Sequence, residues 1–167
     1  MEKGGIYIGL GSNLPSTLHG APQQALAAAV RALEVAGFEI VRRSPWYESA
    51  PVPVSDQPWF INGVVEIRSD LPPEGVLSGL HRIETAFGRV RGAPNAPRTL
   101  DLDLLDYAGV VRNAEIPPVL PHPRLAERAF VLFPLRDIAP HWTHPVSGTG
   151  ISALIAALPP GQSIRRA

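Results

Sequence analysis

Apolar residues along the chain alternate between a period of two and a period near 3.6, and the changes of period mark its elements. Ile6-Tyr7-Ile8-Gly9-Leu10 has the pattern of a short buried strand, ended by the turn residues Gly11-Ser12-Asn13. Ala25, Leu26, Ala29, Val30 and Leu33 then recur at helical spacing, which predicts a helix over residues 22–36, with Pro22 in its first turn and Gly37 as its stop. Residues 38–47 and 60–68 have strand composition and can pair antiparallel across the proline-studded loop 50–58. Val76, Leu77, Leu80, Ile83 and Phe87 form the stripe of a second helix, 72–87, stopped at Gly88.

The clearest strand is 99–107, where Leu100, Leu102 and Leu104 alternate with Thr99, Asp101 and Asp103. Asp106 breaks the alternation and is expected in a turn, with a hairpin partner near residues 110–112. Residues 130–138 and 151–158 are expected as short helices. The order β-α-β-β-α-β with a helical C-terminal extension predicts an α+β protein, a ferredoxin-like antiparallel sheet with helices on its faces, in one domain over 1–167. Sheets of this kind serve many functions, so the site has to supply the function.

Composition narrows the classes. A hydrophobic share of 45% and a charged share of 18% fit one globular domain. Lys+Arg 15 against Asp+Glu 15 gives no net charge, which argues against backbone-driven nucleic-acid binding. With Cys at 0, disulfides, thiolate chemistry and Cys-ligated zinc are excluded, and a reducing cytoplasm is the expected location. No apolar run approaches the roughly 20 residues of a bilayer span, and the 6–10 stretch is too short for a signal peptide, so no membrane association is expected.

Asp101 and Asp103, two apart on a strand, project the same way with Cα atoms roughly 6–7 Å apart. Like charges held side by side call for a cation, and hard carboxylate oxygens suit Mg²⁺ with substrate phosphates. A solvated strand face is the plain alternative. Arg82, Arg89, Arg91 and Arg98 flank these acids; they are either a salt-bridged surface or, placed in a Gly/Pro loop, bidentate phosphate ligands. His122, between Pro121 and Pro123, is either a surface turn residue or a hydrogen-bond partner for phosphate or ribose. Phe60 and Asn62 fall on one strand face, where a ring and an amide can recognise a flat heterocycle, unless Phe60 is simply core. Gly9-Leu10-Gly11-Ser12-Asn13 lacks the third glycine of a dinucleotide loop and is expected to be a tight turn.

Taken together, Gly9 to Leu14, Asp56-Gln57-Pro58 through Asn62, Gly88-Arg89-Val90-Arg91, Pro97 to Asp103 and Pro121-His122-Pro123-Arg124 resemble, in order, the motifs of 6-hydroxymethyl-7,8-dihydropterin pyrophosphokinase. Arg98-Thr99-Leu100-Asp101-Leu102-Asp103 is the most discriminating. The resemblance implies pyrophosphoryl transfer from ATP to the pterin, with Asp101 and Asp103 holding two Mg²⁺ ions and Arg89 and Arg98 contacting the transferred group. It implies Arg91, Leu104, His122 and Arg128 on the nucleotide side. The pterin would lie between Phe60 and Phe130, with Asn62 on its polar edge and backbone at Ser49, Ala50 and Val52 completing the pocket. Loops 13–18, 49–58 and 91–97 would close over both substrates, and the enzyme is expected to act as a monomer. Residues 92–97 carry no aromatic, unlike some bacterial members. A metal-dependent phosphohydrolase or nuclease, and a non-enzymatic ferredoxin-like binding module, are the alternatives from other classes.

Overall fold

A computed structural model of the chain describes residues 4–15, 19–51, 53–88, 99–113 and 115–167. Its strands are β1 (Ile6–Ser12), β2 (Glu39–Arg43), β3 (Tyr47–Ser49), β4 (Phe60–Arg68), β5 (Asp101–Tyr107) and β6 (Ile164–Arg166). The helices are α1 (Pro22–Val35), α2 (Pro73–Ala86), α3 (Ala129–Ile138) and α4 (Ile151–Ala156), with a 3₁₀ turn at Leu125–Glu127. The strands form one antiparallel sheet in the order β5-β1-β4-β3-β6, and β2 also pairs with β4.

Strand alternation sorts side chains onto two faces, and each face has its own helices. On one, Ile8, Leu10, Val65, Leu102 and Leu104 pack with Leu26, Leu33, Leu80 and Ile83 of α1 and α2. On the other, Tyr7, Val64 and Leu105 pack with Leu132 and Leu135 of α3, with Trp142, and with Ile151 of α4. Among the described residues no helix is long and apolar enough to cross a membrane.

Four local expectations change. The strand expected at 38–47 is interrupted at 44–46, where Pro45 brings no N–H; Ser44 keeps contact with β4 by donating its N–H to the Val64 carbonyl (2.9 Å) and accepting the Val64 N–H on Oγ (3.0 Å). Gly9 and Gly11 lie within β1, which continues to Ser12, so of the 9–13 segment expected as a tight turn only Asn13 lies outside the strand.

Asp106 stays in β5. The register against β1 shifts between Tyr7 and Ile8, leaving Leu105 unopposed, and this bulge turns Asp106 toward the α3/α4 face. There its carboxylate accepts Trp142 Nε1–H at 2.9 Å and Gly109 N–H at 3.1 Å. Burial raises its pKa above the ordinary value, against those hydrogen bonds.

Residues 110–112 do not return along β5: the chain turns at Ala108 and Gly109, both at positive φ, and Arg112 bridges to Leu120 while pairing with Glu74. The last strand, β6, was not foreseen, since three residues ending in two arginines carry no pattern of their own.

Candidate active site

The sheet register assembles the site. Gly9 faces Asp103 and Gly11 faces Asp101 on one side of β1, while Gly11 faces Asn62 on the other. Directly opposed residues of an antiparallel pair share a face, so two glycines separate the carboxylates of β5 from the amide of β4. With no side chains on β1 there, the sheet surface stays open as the floor of a cavity of about 180 Å³. Phe130 and Val131, in the first turn of α3, line it, together with Ser49, Ala50, Pro51, Pro53, Ser55 and Gln57 and with Phe60 and Asn62 of β4.

Asn62 is 4% exposed and its Nδ2 donates to Ser49 Oγ at 2.6 Å, so the amide is fixed in rotation. Its Oδ1 lies toward Gly11, where an added Cβ would sit 3.0 Å away. Asn13, buried past the end of β1, donates through Nδ2 to Gln57 Oε1 (3.0 Å) and to the Pro58 carbonyl (3.3 Å). The Gly-Ser-Asn sequence thereby ties the exit of β1 to the cavity wall.

On the acidic side, Arg128 Nη1 lies 4.0 Å from Asp103 Oδ2, and its guanidinium stands over the Phe130 ring at 5.3 Å. Burial lowers the Arg128 pKa from its usual value, with the Asp103 carboxylate acting against it. The cation is retained, because guanidinium ionises far above neutrality. His122 donates its N–H to the Leu105 carbonyl (2.8 Å) and accepts the Arg124 N–H on Nδ1 (3.2 Å). Burial, with Arg128 next, pushes its imidazole down to about 4, while Asp101 pulls the other way. At neutral pH the ring is therefore neutral, and with Nδ1 accepting, its proton sits on Nε2.

A residue without a sequence-derived role supports the carboxylates. Glu84 of α2, 3% exposed, accepts the N–H of Leu102 on Oε2 at 2.9 Å, between the two aspartates. Its signal in the sequence was an acid one helical turn beyond Leu80, on the apolar stripe of α2. Gly9 and Gly11, read in the sequence as turn residues, also lie on the cavity, as do Ser55 and Gln57 of the 49–58 loop that was expected to close over the substrates.

The structure thus brings Ser49, Ala50, Phe60, Asn62, Asp101, Asp103 and Phe130 to one cavity, with Arg128 and His122 in electrostatic contact with its acids. The Leu104 side chain does not reach it; it is buried in the α1/α2 cluster on the opposite face. Val52, Arg89, Arg91 and Arg98 lie outside the described residues, as do the 91–97 loop and residues 16–18. Among the described residues no three or more His, Cys, Asp or Glu gather as a metal cage. Asp101 and Asp103 nonetheless fit Mg²⁺, a hard ion that takes one or two carboxylates and completes its shell with water and substrate phosphates.

Fold and cavity together define a small α+β protein that sets paired carboxylates and an arginine against a fixed amide and an aromatic wall. Residues 7–140 match the family model described as 7,8-dihydro-6-hydroxymethylpterin-pyrophosphokinase (HPPK), and the chain belongs to that family. It is 42% identical over 152 residues to the 2-amino-4-hydroxy-6-hydroxymethyldihydropteridine pyrophosphokinase of Synechocystis sp., covering 90% of this chain and 74% of that protein. The protein of the same name from Methylorubrum extorquens is 41% identical over 92% of this chain and 93% of its own length. The folic acid synthesis protein fol1 of Pneumocystis carinii is 38% identical over 89% of this chain, which spans only 19% of it. A crystal structure of a Plasmodium falciparum HPPK-DHPS triple mutant superposes with a TM-score of 0.72 at 14% identity, over 93% of this chain and 44% of that one, a likeness of fold.

Proposed function

We propose that the chain performs its family's reaction, transferring the pyrophosphoryl group of ATP to the hydroxymethyl of 6-hydroxymethyl-7,8-dihydropterin and releasing AMP, in folate synthesis. The observation that carries this is the register of β1: side-chain-free at Gly9 and Gly11, it leaves room for substrate between Asp101 and Asp103 and the fixed amide of Asn62.

In this reading Asn62 hydrogen-bonds the polar edge of the pterin, and Phe60 and Phe130 hold its ring, with Ser49, Ala50 and Val52 around it. Asp101 and Asp103 are the residues that would hold two Mg²⁺ ions, which when bound supply charge neutralisation at the ATP phosphates. Arg128, with Arg89, Arg91 and Arg98, answers the remaining phosphate charge, and His122 offers an Nε2–H donor on the nucleotide side. The protein's share is orientation: ring and phosphates are placed so that the hydroxymethyl oxygen meets the β-phosphorus in line. The sheet order, with β1 between β5 and β4, supports the ferredoxin-like arrangement. Residues 1–167 are taken to act as one monomeric cytoplasmic domain, a location that the cysteine-free composition suits.

Incubation with ATP, Mg²⁺ and 6-hydroxymethyl-7,8-dihydropterin tests the reading. AMP and a pterin diphosphate are expected in equal amounts. ADP or free phosphate in their place would indicate an ordinary kinase or a phosphohydrolase.

A further inference from the structure

The family match ends at residue 140, yet the chain beyond it returns to the segments that surround the cavity. Gln162 makes two hydrogen bonds with its side-chain amide. Oε1 accepts the Ala129 N–H at 2.9 Å, and Nε2 donates to the Glu127 carbonyl at 2.8 Å. These backbone groups lie on either side of Arg128, so one side-chain amide grips the main chain around the residue whose guanidinium faces Asp103 and covers Phe130. Ala129 opens α3, and the first N–H groups of a helix have no partner within it; the N-cap residue, Arg128, supplies no side-chain cap.

The next residues grip a second part of the chain that lines the cavity. The Ser163 carbonyl accepts the Ala50 N–H at 3.1 Å, β6 pairs Ile164 with Ser49, and Arg165 bonds Glu48 Oε2 at 2.7 Å. Residues 162–165 therefore bond both to the 127–129 segment that leads into Phe130 and to Ser49–Ala50, two parts of the chain that meet at the cavity, while lining none of it themselves.

We propose that Gln162 is a positioning residue: it fixes the Arg128–Phe130 segment at the spacing from Ser49 and Ala50 that the substrates require. The inference rests on the pyrophosphokinase reading for its kinetic consequence, though not for its structural one. An amide suits the task because it presents a donor and an acceptor at once, matching the carbonyl and N–H that flank Arg128. Alanine at 162 leaves both to water and frees the segment, so substrate binding weakens before the chemistry does.

The test compares wild type, Gln162→Ala, Gln162→Glu and Ile151→Val. The last loosens the α3/α4 core at a buried residue that has no bond to Arg128. Amide hydrogen exchange and steady-state kinetics are measured on each, with Tm recorded. In Gln162→Ala, exchange should quicken across 127–131 and kcat/KM should fall about tenfold, mostly through KM, as expected for two lost hydrogen bonds. Gln162→Glu, which keeps the acceptor for Ala129, should fall between it and wild type. Unchanged exchange at 127–131 in Gln162→Ala overturns the proposal, as does an equal loss of kcat/KM in Ile151→Val at matched Tm. If wild type itself forms no AMP, the pyrophosphokinase reading fails, and the exchange data still decide whether Gln162 holds the segment.

Discussion

Gly11 on β1 stands directly opposite Asn62 on β4, and a Cβ at Gly11 would lie 3.0 Å from Asn62 Oδ1. Asn62 cannot rotate away without giving up its 2.6 Å bond to Ser49. Gly11→Ala should therefore raise KM for the pterin about tenfold or more while moving KM for ATP much less, because the disturbed amide is on the pterin side. Steady-state kinetics with each substrate varied in turn checks this. Equal effects on both would place the amide elsewhere in the reaction.

Glu84 reaches the N–H between Asp101 and Asp103 from inside the helical layer. Glu84→Gln retains an acceptor and should fold and turn over close to wild type. Glu84→Leu leaves a buried N–H without its partner and should cost about 1–3 kcal/mol in urea unfolding. Its activity should fall further than stability alone explains, since the strand carrying both acids loses an anchor. Full activity in Glu84→Leu would show that the anchor is dispensable.

Phe130→Ala should weaken pterin binding by about an order of magnitude and ATP binding less. The ring also carries the Arg128 guanidinium at 5.3 Å, so some loss on the nucleotide side is expected. Calorimetric titration of each substrate separates the two. A larger loss for ATP would reverse the assignment of that wall.

His122 gives a pH signature. Its folded pKa, about 4, lies below the ordinary 6.5, chiefly through burial. Between those values the unfolded chain binds the proton more readily, so stability rises with pH across this window. His122 thus contributes stability that is fully present above about pH 6.5 and is lost as the pH falls toward 4. Without nucleotide or divalent metal, His122→Gln should show a shallower fall of Tm from pH 6.5 to 4 than wild type. Parallel curves would mean that the imidazole titrates normally.

The fold and much of the site were legible in the sequence where local pattern and tertiary role agree. Leu100, Leu102 and Leu104 alternate with Asp101 and Asp103 because one face of β5 packs on helices and the other opens to the cavity. Asp106 was misplaced because a bulge at Leu105 changes the facing of the strand, and its carboxylate is satisfied by Trp142, far along the chain. Glu84 and Gln162 were missed for a related reason: each bonds backbone remote in sequence, which no spacing rule records. The glycines of β1 were noticed as turn residues; their use as an open floor depends on strand register, visible only once β4 and β5 are in place.

The central claim is that Asp101 and Asp103 serve a transfer in which the β- and γ-phosphates move as one unit. It is tested most directly with ATP labelled at either the β- or the γ-phosphate. Wild type should place both labels on the pterin and leave AMP unlabelled, and Asp103→Asn, folded by circular dichroism, should slow both transfers together by at least about two orders of magnitude. Transfer of the γ label alone, or undiminished transfer in Asp103→Asn, would contradict the account.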